Sequence, residues 1–175
     1  ITEPMITFYT IVEVVCTSII DSTHAFKLIP IKPIASGFKD GNKDSDSVKI
    51  LNSLGLEPSL ENINAITPWR FEESVSPHFA AKNSGSEIDF VEVKNFCNQQ
   101  ISMAKKDGKC LFIEAAGGVM TPINDSKTFL DLAEELNIPL LLITSNYLGS
   151  ISHTLSAIKV LESRNIVIEA VIIND

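Results

Sequence analysis

The chain has 175 residues, 45% of them hydrophobic, and a formal net charge of −8. This length is enough for one domain with a substantial core, and the acidic balance argues against nucleic acid or an anionic membrane as a partner. No apolar run approaches the ~20 residues that a membrane span needs. Cys16, Cys97 and Cys110 show no metal-type spacing, and no leader-like pattern opens the chain, so we expect reduced thiols in a cytoplasmic protein.

The first quarter of the chain predicts two strands and a loop. Residues 5–10 and 26–31 are short apolar segments typical of buried strands, whereas residues 14–20 fit a helix or a strand equally well. Residues 38–47 are polar and predict a loop. A helix is expected to start near Asp46 and to stop at Gly55, because apolar residues recur between them at helical spacing.

The rest of the chain alternates predicted helices with predicted strands. The helices are expected at residues 88–105, 129–136 and 151–163, and the strands at residues 109–114, 138–144 and 167–173. The last helix is expected to turn Ile151, Leu155, Ile158 and Leu161 inward. The alternation predicts an α/β fold with a parallel central sheet flanked by helices on both faces, in a single domain over residues 1–175.

A carboxylate and two glycines follow the predicted strand at 109–114. Glu114 stands at the end of the strand, and Gly117 and Gly118 come just after it. Ligands of open α/β sheets bind outside the carboxyl ends of the strands, where a carboxylate can hold a metal and glycines admit an anionic ligand. The alternative is a plain strand-to-loop turn with an exposed glutamate.

Lys32 and Ser36 follow the predicted strand at 26–31, in Lys-Pro-Ile-Ala-Ser-Gly. A lysine at a strand end suits developing negative charge on a phosphoryl or carbamate oxygen, although it can also be a surface lysine. Ser36 can donate to a substrate oxygen or simply close a turn with Gly37.

Asp46 and Glu114 are hard oxygen ligands, and Mg²⁺ is usually held by one or two carboxylates together with substrate phosphates. Asp46 is equally typical of a helix N-cap. Asn174, at the end of the last predicted strand, offers an amide that can recognise an adenine edge, or it can be a cap.

A loop enters the last predicted helix at Gly149, Ser150 and Ser152. Free N–H groups at such a helix start can bind a carboxylate, in the site of the same subunit or of a neighbouring one. His78, within Ser-Pro-His, is expected to be a structural residue.

The ordered set Lys-Pro-x-x-Ser-Gly, Ser-Pro-His and Glu-x-Ala-Gly-Gly-x-x-x-Pro resembles dethiobiotin synthetase over residues 8–175. The resemblance implies a P-loop NTPase-like three-layer sandwich and a homodimer. It also implies ATP and Mg²⁺ as cofactors, and closure of a cyclic urea from CO₂ and 7,8-diaminononanoate. That reaction passes through a carbamate and a carbamic-phosphoric anhydride and releases ADP and phosphate.

The resemblance also implies roles for single residues. Lys32 would stabilise the carbamate and the transferring phosphoryl group, Asp46 and Glu114 would hold Mg²⁺ beside the nucleotide, and Asn174 would recognise adenine. Ser36 would contact the substrate, and Gly117 and Gly118 would line the diamine and phosphate site. The turn from Gly149 to Ser152 would bind the substrate carboxylate across the dimer interface.

The chain departs from the family pattern after its first predicted strand. The family has a Gly-x-x-x-x-x-Gly-Lys-Thr phosphate loop there, but residues 10–22 contain neither glycine nor lysine. Either Val15-Cys16-Thr17 replaces Gly-Lys-Thr, or residues 14–20 are the helix after an absent loop, which we favour. Ala115 also replaces a usual glycine, and the sequence stops directly after a predicted strand. We therefore expect these residues to be part of a longer protein.

Two other functions fit parts of the sequence. A relative without the phosphate loop would act as a non-catalytic partner. Another P-loop ligase or ATPase, such as an amidotransferase-type cobyrinate ligase or a partitioning ATPase, is disfavoured by the Lys-Pro-x-x-Ser-Gly and Ser-Pro-His motifs.

Overall fold

A computed structural model of the chain describes residues 28–39 and 41–174. The strands are β1 (Leu28–Ile31), β2 (Ile34–Ser36), β3 (Trp69–Phe71), β4 (Cys110–Ile113), β5 (Leu140–Ser145) and β6 (Ile168–Asn174). The helices are α1 (Asp46–Ser53), α2 (Leu60–Ile66), α3 (Pro77–Asn83), α4 (Phe90–Asp107), α5 (Phe129–Leu136) and α6 (Ser150–Ser163). The predicted strand at 5–10, the segment 14–20 and the expected place of the phosphate loop lie outside the described residues.

All three strand pairs are parallel: β1 with β4, β2 with β3, and β5 with β6. The β1–β4 register joins Leu28 to Cys110 and Ile31 to Ile113, so both strands end at the same level. Parallel strands need crossover connections, and helices supply them here. The predicted α/β class with parallel strands is confirmed.

Helices cover β2 on both faces. Ile34 is fully buried in a cluster with residues of α3, α4 and α5, whereas the next residue, Ala35, is buried in a cluster with residues of α1 and α2. Successive strand residues point to opposite faces, so these two clusters are the two helical layers. The predicted layer arrangement is confirmed at this strand.

Local capping explains where the longer helices begin and end. Asp89 accepts hydrogen bonds from the N–H groups of Val91 and Glu92 at the start of α4, and Gly108 ends that helix with a φ of 62°. Thr128 and Asp131 form a reciprocal capping box at the start of α5. With these caps, α4 and α5 begin no more than two residues from their predicted starts.

In the region of residues 34–47, one prediction about local structure is wrong and one is confirmed. Ser36 belongs to strand β2 and does not close a turn, because its backbone pairs with Phe71 of β3. The helix expected to start near Asp46 is confirmed, because α1 begins at that residue and the preceding loop ends there. The short elements α2, β3 and α3 were not predicted, and Ser76-Pro77 starts helix α3, because proline is well suited to the first helical position.

The predicted inward face of α6 is also wrong in part. Leu161 is fully buried and Ile158 packs against the same cluster, but Ile151 and Leu155 are 76% and 56% exposed. Helical spacing aligns these four residues on one stripe, and the C-terminal half of the stripe, Ile158 and Leu161, packs in an apolar cluster. Of the helices that the structure describes, none is long and apolar enough to cross a membrane.

Candidate active site at the carboxyl ends of β1 and β4

A buried ion cluster lies where β1 and β4 end. The Lys32 Nζ atom is 2.7 Å from Oε1 of Glu114 and 2.6 Å from Oδ2 of Asp46. Lys32 and Glu114 are 6% and 8% exposed, so neither is the surface residue that the alternative interpretations required. Three residues that the sequence singled out separately therefore lie together.

The parallel ladder positions the first two members of this cluster. The Glu114 N–H donates to the Ile31 carbonyl at 2.8 Å, which continues the β1–β4 pairing one residue beyond the strands. Lys32 and Glu114 therefore leave adjacent strands at the same edge. Asp46 is the first residue of α1, and the preceding residue, Ser45, occupies the N-cap position. The interpretation of Asp46 as the N-cap is thus wrong.

Burial and ion pairing set the protonation of the cluster. Burial disfavours the Lys32 ammonium, but Glu114 and Asp46 outweigh it and raise the lysine pKa above its ordinary value. Burial raises the pKa of Glu114, Lys32 opposes that shift, and the nearby Asp46 charge adds to it. Lys32 therefore stays cationic, and Glu114 holds its proton at a higher pH than an exposed glutamate does.

One oxygen of the cluster has no hydrogen-bond partner among residues 28–39 and 41–174. Glu114 Oε2 and Ser45 Oγ are buried side-chain atoms without a hydrogen-bond partner in the described part of the chain. An unsatisfied buried carboxylate oxygen is costly and suits a ligand cation. Asp46 and Glu114 lie close together, because both contact the same ammonium nitrogen. These oxygens fit Mg²⁺, which needs only one or two carboxylates when phosphates supply the rest.

The cluster offers two protein side chains, Asp46 and Glu114, as candidate metal ligands. Across residues 28–39 and 41–174, no group of three or more His, Cys, Asp or Glu side chains is placed to hold a metal ion. An all-protein metal cage is thus not formed there. A buried carboxylate, Glu114, beside the partly exposed side chain of Asp46 matches a metal site that a nucleotide would complete.

The loop after β4 carries the glycine pair, and its two members differ. Gly117 has a φ of 90°, and a Cβ atom at this position would lie 2.6 Å from the Thr121 Oγ1 atom. Gly118 has open space where its Cβ would be, and its carbonyl accepts from the Thr121 N–H at 2.9 Å. Only Gly117 is required by the local geometry.

The other predicted site residues lie outside this cluster. Ser36 is half-buried at the end of β2, and no hydrogen bond among the described residues joins it to Lys32, Asp46 or Glu114. Gly149 is the N-cap of α6 with a φ of 99°, Ser150 is the first residue of the helix, and Ser152 is exposed. Asn174 ends β6 opposite Ser145, as predicted for the last strand.

Sequence reasoning missed a buried hydroxyl pair next to the cluster. Ser47 Oγ and Thr67 Oγ1 are 2.8 Å apart, and both residues are fully buried. Ser47 follows Asp46 directly, so the pair lies next to a site residue. The only available signal was the unusually polar run Asp44-Ser45-Asp46-Ser47 at a helix start, which does not reveal a partner 20 residues away.

Similarity to known proteins shows the family to which the chain belongs. Residues 13–175 match the family model described as an AAA domain, and the chain therefore belongs to this family of P-loop proteins. The particular relatives are named ATP-dependent dethiobiotin synthetase BioD, so the resemblance predicted from the motifs is confirmed. The P-loop NTPase-like sandwich predicted with it is confirmed as well.

Three relatives illustrate the similarity. The protein from Acidiphilium cryptum is 37% identical over 146 residues, which cover 82% of this chain and 64% of the relative. The protein from Legionella pneumophila strain Paris is 42% identical, with 78% and 62% covered. The protein from Methylobacterium nodulans is 34% identical, with 83% and 66% covered. The chain thus spans less than two thirds of the length of these relatives.

Proposed function

We propose that this chain carries the catalytic cluster of an ATP-dependent dethiobiotin synthetase. The enzyme would use ATP and CO₂ to close a cyclic urea on 7,8-diaminononanoate, with release of ADP and phosphate. The observation that carries the proposal is the buried Lys32 ammonium held by Asp46 and Glu114 at the carboxyl ends of parallel strands. The similarity to proteins named ATP-dependent dethiobiotin synthetase supports the reaction class.

In the proposed reaction one amine of the substrate adds to CO₂ and loses a proton, which gives a carbamate. A carbamate oxygen takes the γ-phosphoryl group from ATP, and ADP leaves. The second amine then attacks the carbonyl carbon and loses a proton, the ring closes, and phosphate leaves. Negative charge moves between oxygens in each phosphate step, so a fixed cation beside them stabilises the transition states.

Lys32 supplies that fixed cation. Its raised pKa keeps it protonated through the neutral range, and its two carboxylate partners hold the ammonium in one place. Asp46 and Glu114 would also hold Mg²⁺, which neutralises phosphate charge when bound. The unpartnered Glu114 Oε2 atom supports this role, because an ion or its water would satisfy it.

The substrate and nucleotide contacts are proposed for the remaining residues. Gly117 and Gly118 would let the backbone of the 114–122 loop approach the diamine and phosphate, Ser36 would contact the substrate, and Asn174 would recognise adenine. The start of α6 at Gly149, Ser150 and Ser152 would bind the substrate carboxylate, although the Ser150 N–H already donates to the Tyr147 carbonyl at 3.0 Å.

A homodimer would complete the carboxylate site. Leu148 and Ile151, beside the start of α6, are 102% and 76% exposed, which supports a protein partner on this face. We also propose that the protein is cytoplasmic.

Phosphate release from ATP tests the function. The purified full-length protein is assayed with Mg²⁺ and bicarbonate, with and without 7,8-diaminononanoate. Release that depends on the diamine supports the ligase. Release without the diamine favours another P-loop ATPase. No release favours the non-catalytic partner, an alternative that the lack of glycine and lysine in residues 10–22 supports.

A further inference from the structure

The corner that follows helix α2 is attached to both Lys32 and the start of α1. The Lys32 N–H donates to the Ile66 carbonyl at 3.0 Å. The next corner residue, Thr67, shares a 2.8 Å hydroxyl–hydroxyl hydrogen bond with Ser47, the residue directly after Asp46. The consecutive residues Ile66 and Thr67 thus form hydrogen bonds to the backbone of Lys32 and to the side chain of Ser47, the neighbour of Asp46.

The corner itself is firmly held. The Thr67 N–H donates to the Ile63 carbonyl at 2.7 Å, and the Arg70 guanidinium donates to the Thr67 carbonyl. Two residues after Thr67, the Trp69 N–H donates to the carbonyl of Pro33, the residue next to Lys32, at 3.1 Å. These hydrogen bonds therefore fix the position of Thr67 relative to the strand end that carries Lys32.

Within the part of the chain that the structure describes, helix α1 has no side-chain cap. Ser45 occupies the N-cap position without a capping hydrogen bond, so the first turn of α1 is not anchored in the usual way. Apolar packing of Ile50 and Leu51 holds the helix against α2, but such packing is not directional. The Ser47–Thr67 bond is directional, and it acts one residue from Asp46.

We propose that the Ser47–Thr67 hydrogen bond is a positioning element that sets the Asp46 carboxylate against the Lys32 ammonium. A hydrogen bond between two fully buried hydroxyl groups adds little net stability compared with an apolar pair. We therefore assign this bond the role of fixing the orientation of the start of α1. Thr67 and Ser47 are positioning residues, because they act through Asp46. The geometric part holds for the folded chain whatever the reaction is, and only its effect on turnover rests on the proposed function.

The test measures how strongly Lys32 and Asp46 are coupled. Unfolding by urea is followed for Lys32→Met, Asp46→Asn and the double variant, first in the wild-type chain and then in a Thr67→Val background. Valine keeps the shape of threonine and removes its hydroxyl. We expect the Lys32–Asp46 coupling to fall by more than half in that background. A coupling that is unchanged while stability falls would overturn the proposal, because the hydroxyl pair would then only support packing.

Two further variants separate the hydroxyl from the methyl group. Thr67→Ser keeps the hydroxyl and loses the methyl, so the coupling should stay as in the wild type. If Thr67→Ser loses as much coupling as Thr67→Val, packing controls the geometry and the proposal fails. Ser47→Ala removes the other hydroxyl without added bulk and should repeat the effect of Thr67→Val, which keeps the test usable if Thr67→Val folds poorly.

A matched control lies in another part of the molecule. Thr144 Oγ1 and Thr154 Oγ1 are also 2.8 Å apart and tie β5 to α6. Thr154→Val removes the same kind of bond, so it should lower stability and leave the Lys32–Asp46 coupling unchanged. A loss of coupling in this control would show that any destabilisation has that effect, and it would overturn the interpretation.

The effect on turnover is measured separately. With diamine-dependent phosphate release as the readout, Thr67→Val should lower kcat by about tenfold, because small misplacements near reacting groups are costly. Thr67→Ser should restore kcat. A wild-type chain without diamine-dependent release would defeat the proposed function alone, since the coupling measurement does not use turnover.

Discussion

The Lys32 Nζ atom lies 2.7 Å from the Glu114 Oε1 atom although 82 positions separate the two residues in the chain. The register of β1 and β4 explains this contact, because Ile31 pairs with Ile113 and each site residue follows its strand directly. A slip by one residue would turn one of the two side chains to the other face of the sheet. The ion pair is therefore a direct result of strand register.

Replacement of Lys32 by methionine tests the fixed cation. We expect turnover to fall by about 100-fold or more, because the charge beside the reacting oxygens is lost. Stability should also fall, by about 3 kcal/mol in urea unfolding, since Glu114 keeps a buried position without its partner. Lys82→Met is the control, because Lys82 pairs with Asp125 on the surface. Unchanged turnover in Lys32→Met would remove Lys32 from the reaction.

Neutral isosteres test the two carboxylates. We expect Asp46→Asn and Glu114→Gln each to raise the Mg²⁺ concentration for half-maximal turnover by about tenfold, because an amide is a poorer ligand for a hard cation. Glu135→Gln, which changes a carboxylate paired with Lys94 away from the cluster, should leave it unchanged. An unaltered Mg²⁺ requirement in both site variants would contradict metal binding by these residues.

The raised pKa of Glu114 predicts a pH dependence of stability. The folded chain holds this proton at pH values where the unfolded chain, with an ordinary value of 4.5, has lost it. The unfolding free energy of the wild type relative to Glu114→Gln should therefore be highest below that value and decline as the pH rises through the folded pKa. Urea unfolding of both proteins between acid and neutral pH measures the difference, and a constant difference would refute the prediction.

Lys32 should not contribute to that decline. Its pKa is raised above the ordinary value of 10.5, so its stabilising contribution is complete at neutral pH and is lost only as the pH rises through the folded value. In a Lys32→Met background the decline should move to higher pH, because Glu114 loses the ammonium that opposes its raised pKa.

Two leucines of α6 test the corrected face of that helix. Leu161 is fully buried, so Leu161→Ala should lower the unfolding free energy by about 2 to 5 kcal/mol. Leu155 is 56% exposed, so Leu155→Ala should have little effect on the unfolding of a single chain. Equal losses in chemical unfolding would mean that both leucines are covered, as the helical spacing alone suggested.

Sequence reasoning found the two strand-end residues because their signal is local. A short apolar run predicts a buried strand, and Lys32 and Glu114 each follow such a run, so parallel pairing brings them together. Asp46 was ambiguous for an equally local reason. Four residues suited to capping stand in a row at 44–47, and propensity does not decide which of them is the N-cap.

The remaining features depend on long-range contacts that no local pattern specifies. β2 and β3 have three residues each, too few for periodicity to show. The Ser47–Thr67 bond depends on how α1 packs against α2, and both residues have common, uninformative neighbours in sequence. The exposure of Ile151 depends on which other elements pack against that side of α6. The spacing of apolar residues within one helix carries no information about those elements.

The adjacent glycines after β4 should differ in what substitution they tolerate. At Gly117 the Thr121 hydroxyl fills the volume of the missing Cβ, as the Ser74 hydroxyl does at Gly37, and the positive φ adds strain. Protein engineers often replace glycine by alanine to restrict the unfolded chain. In this loop the folded chain has room for that change at Gly118 and none at Gly117, although an alanine at Gly118 would also place a methyl group in the proposed diamine and phosphate site.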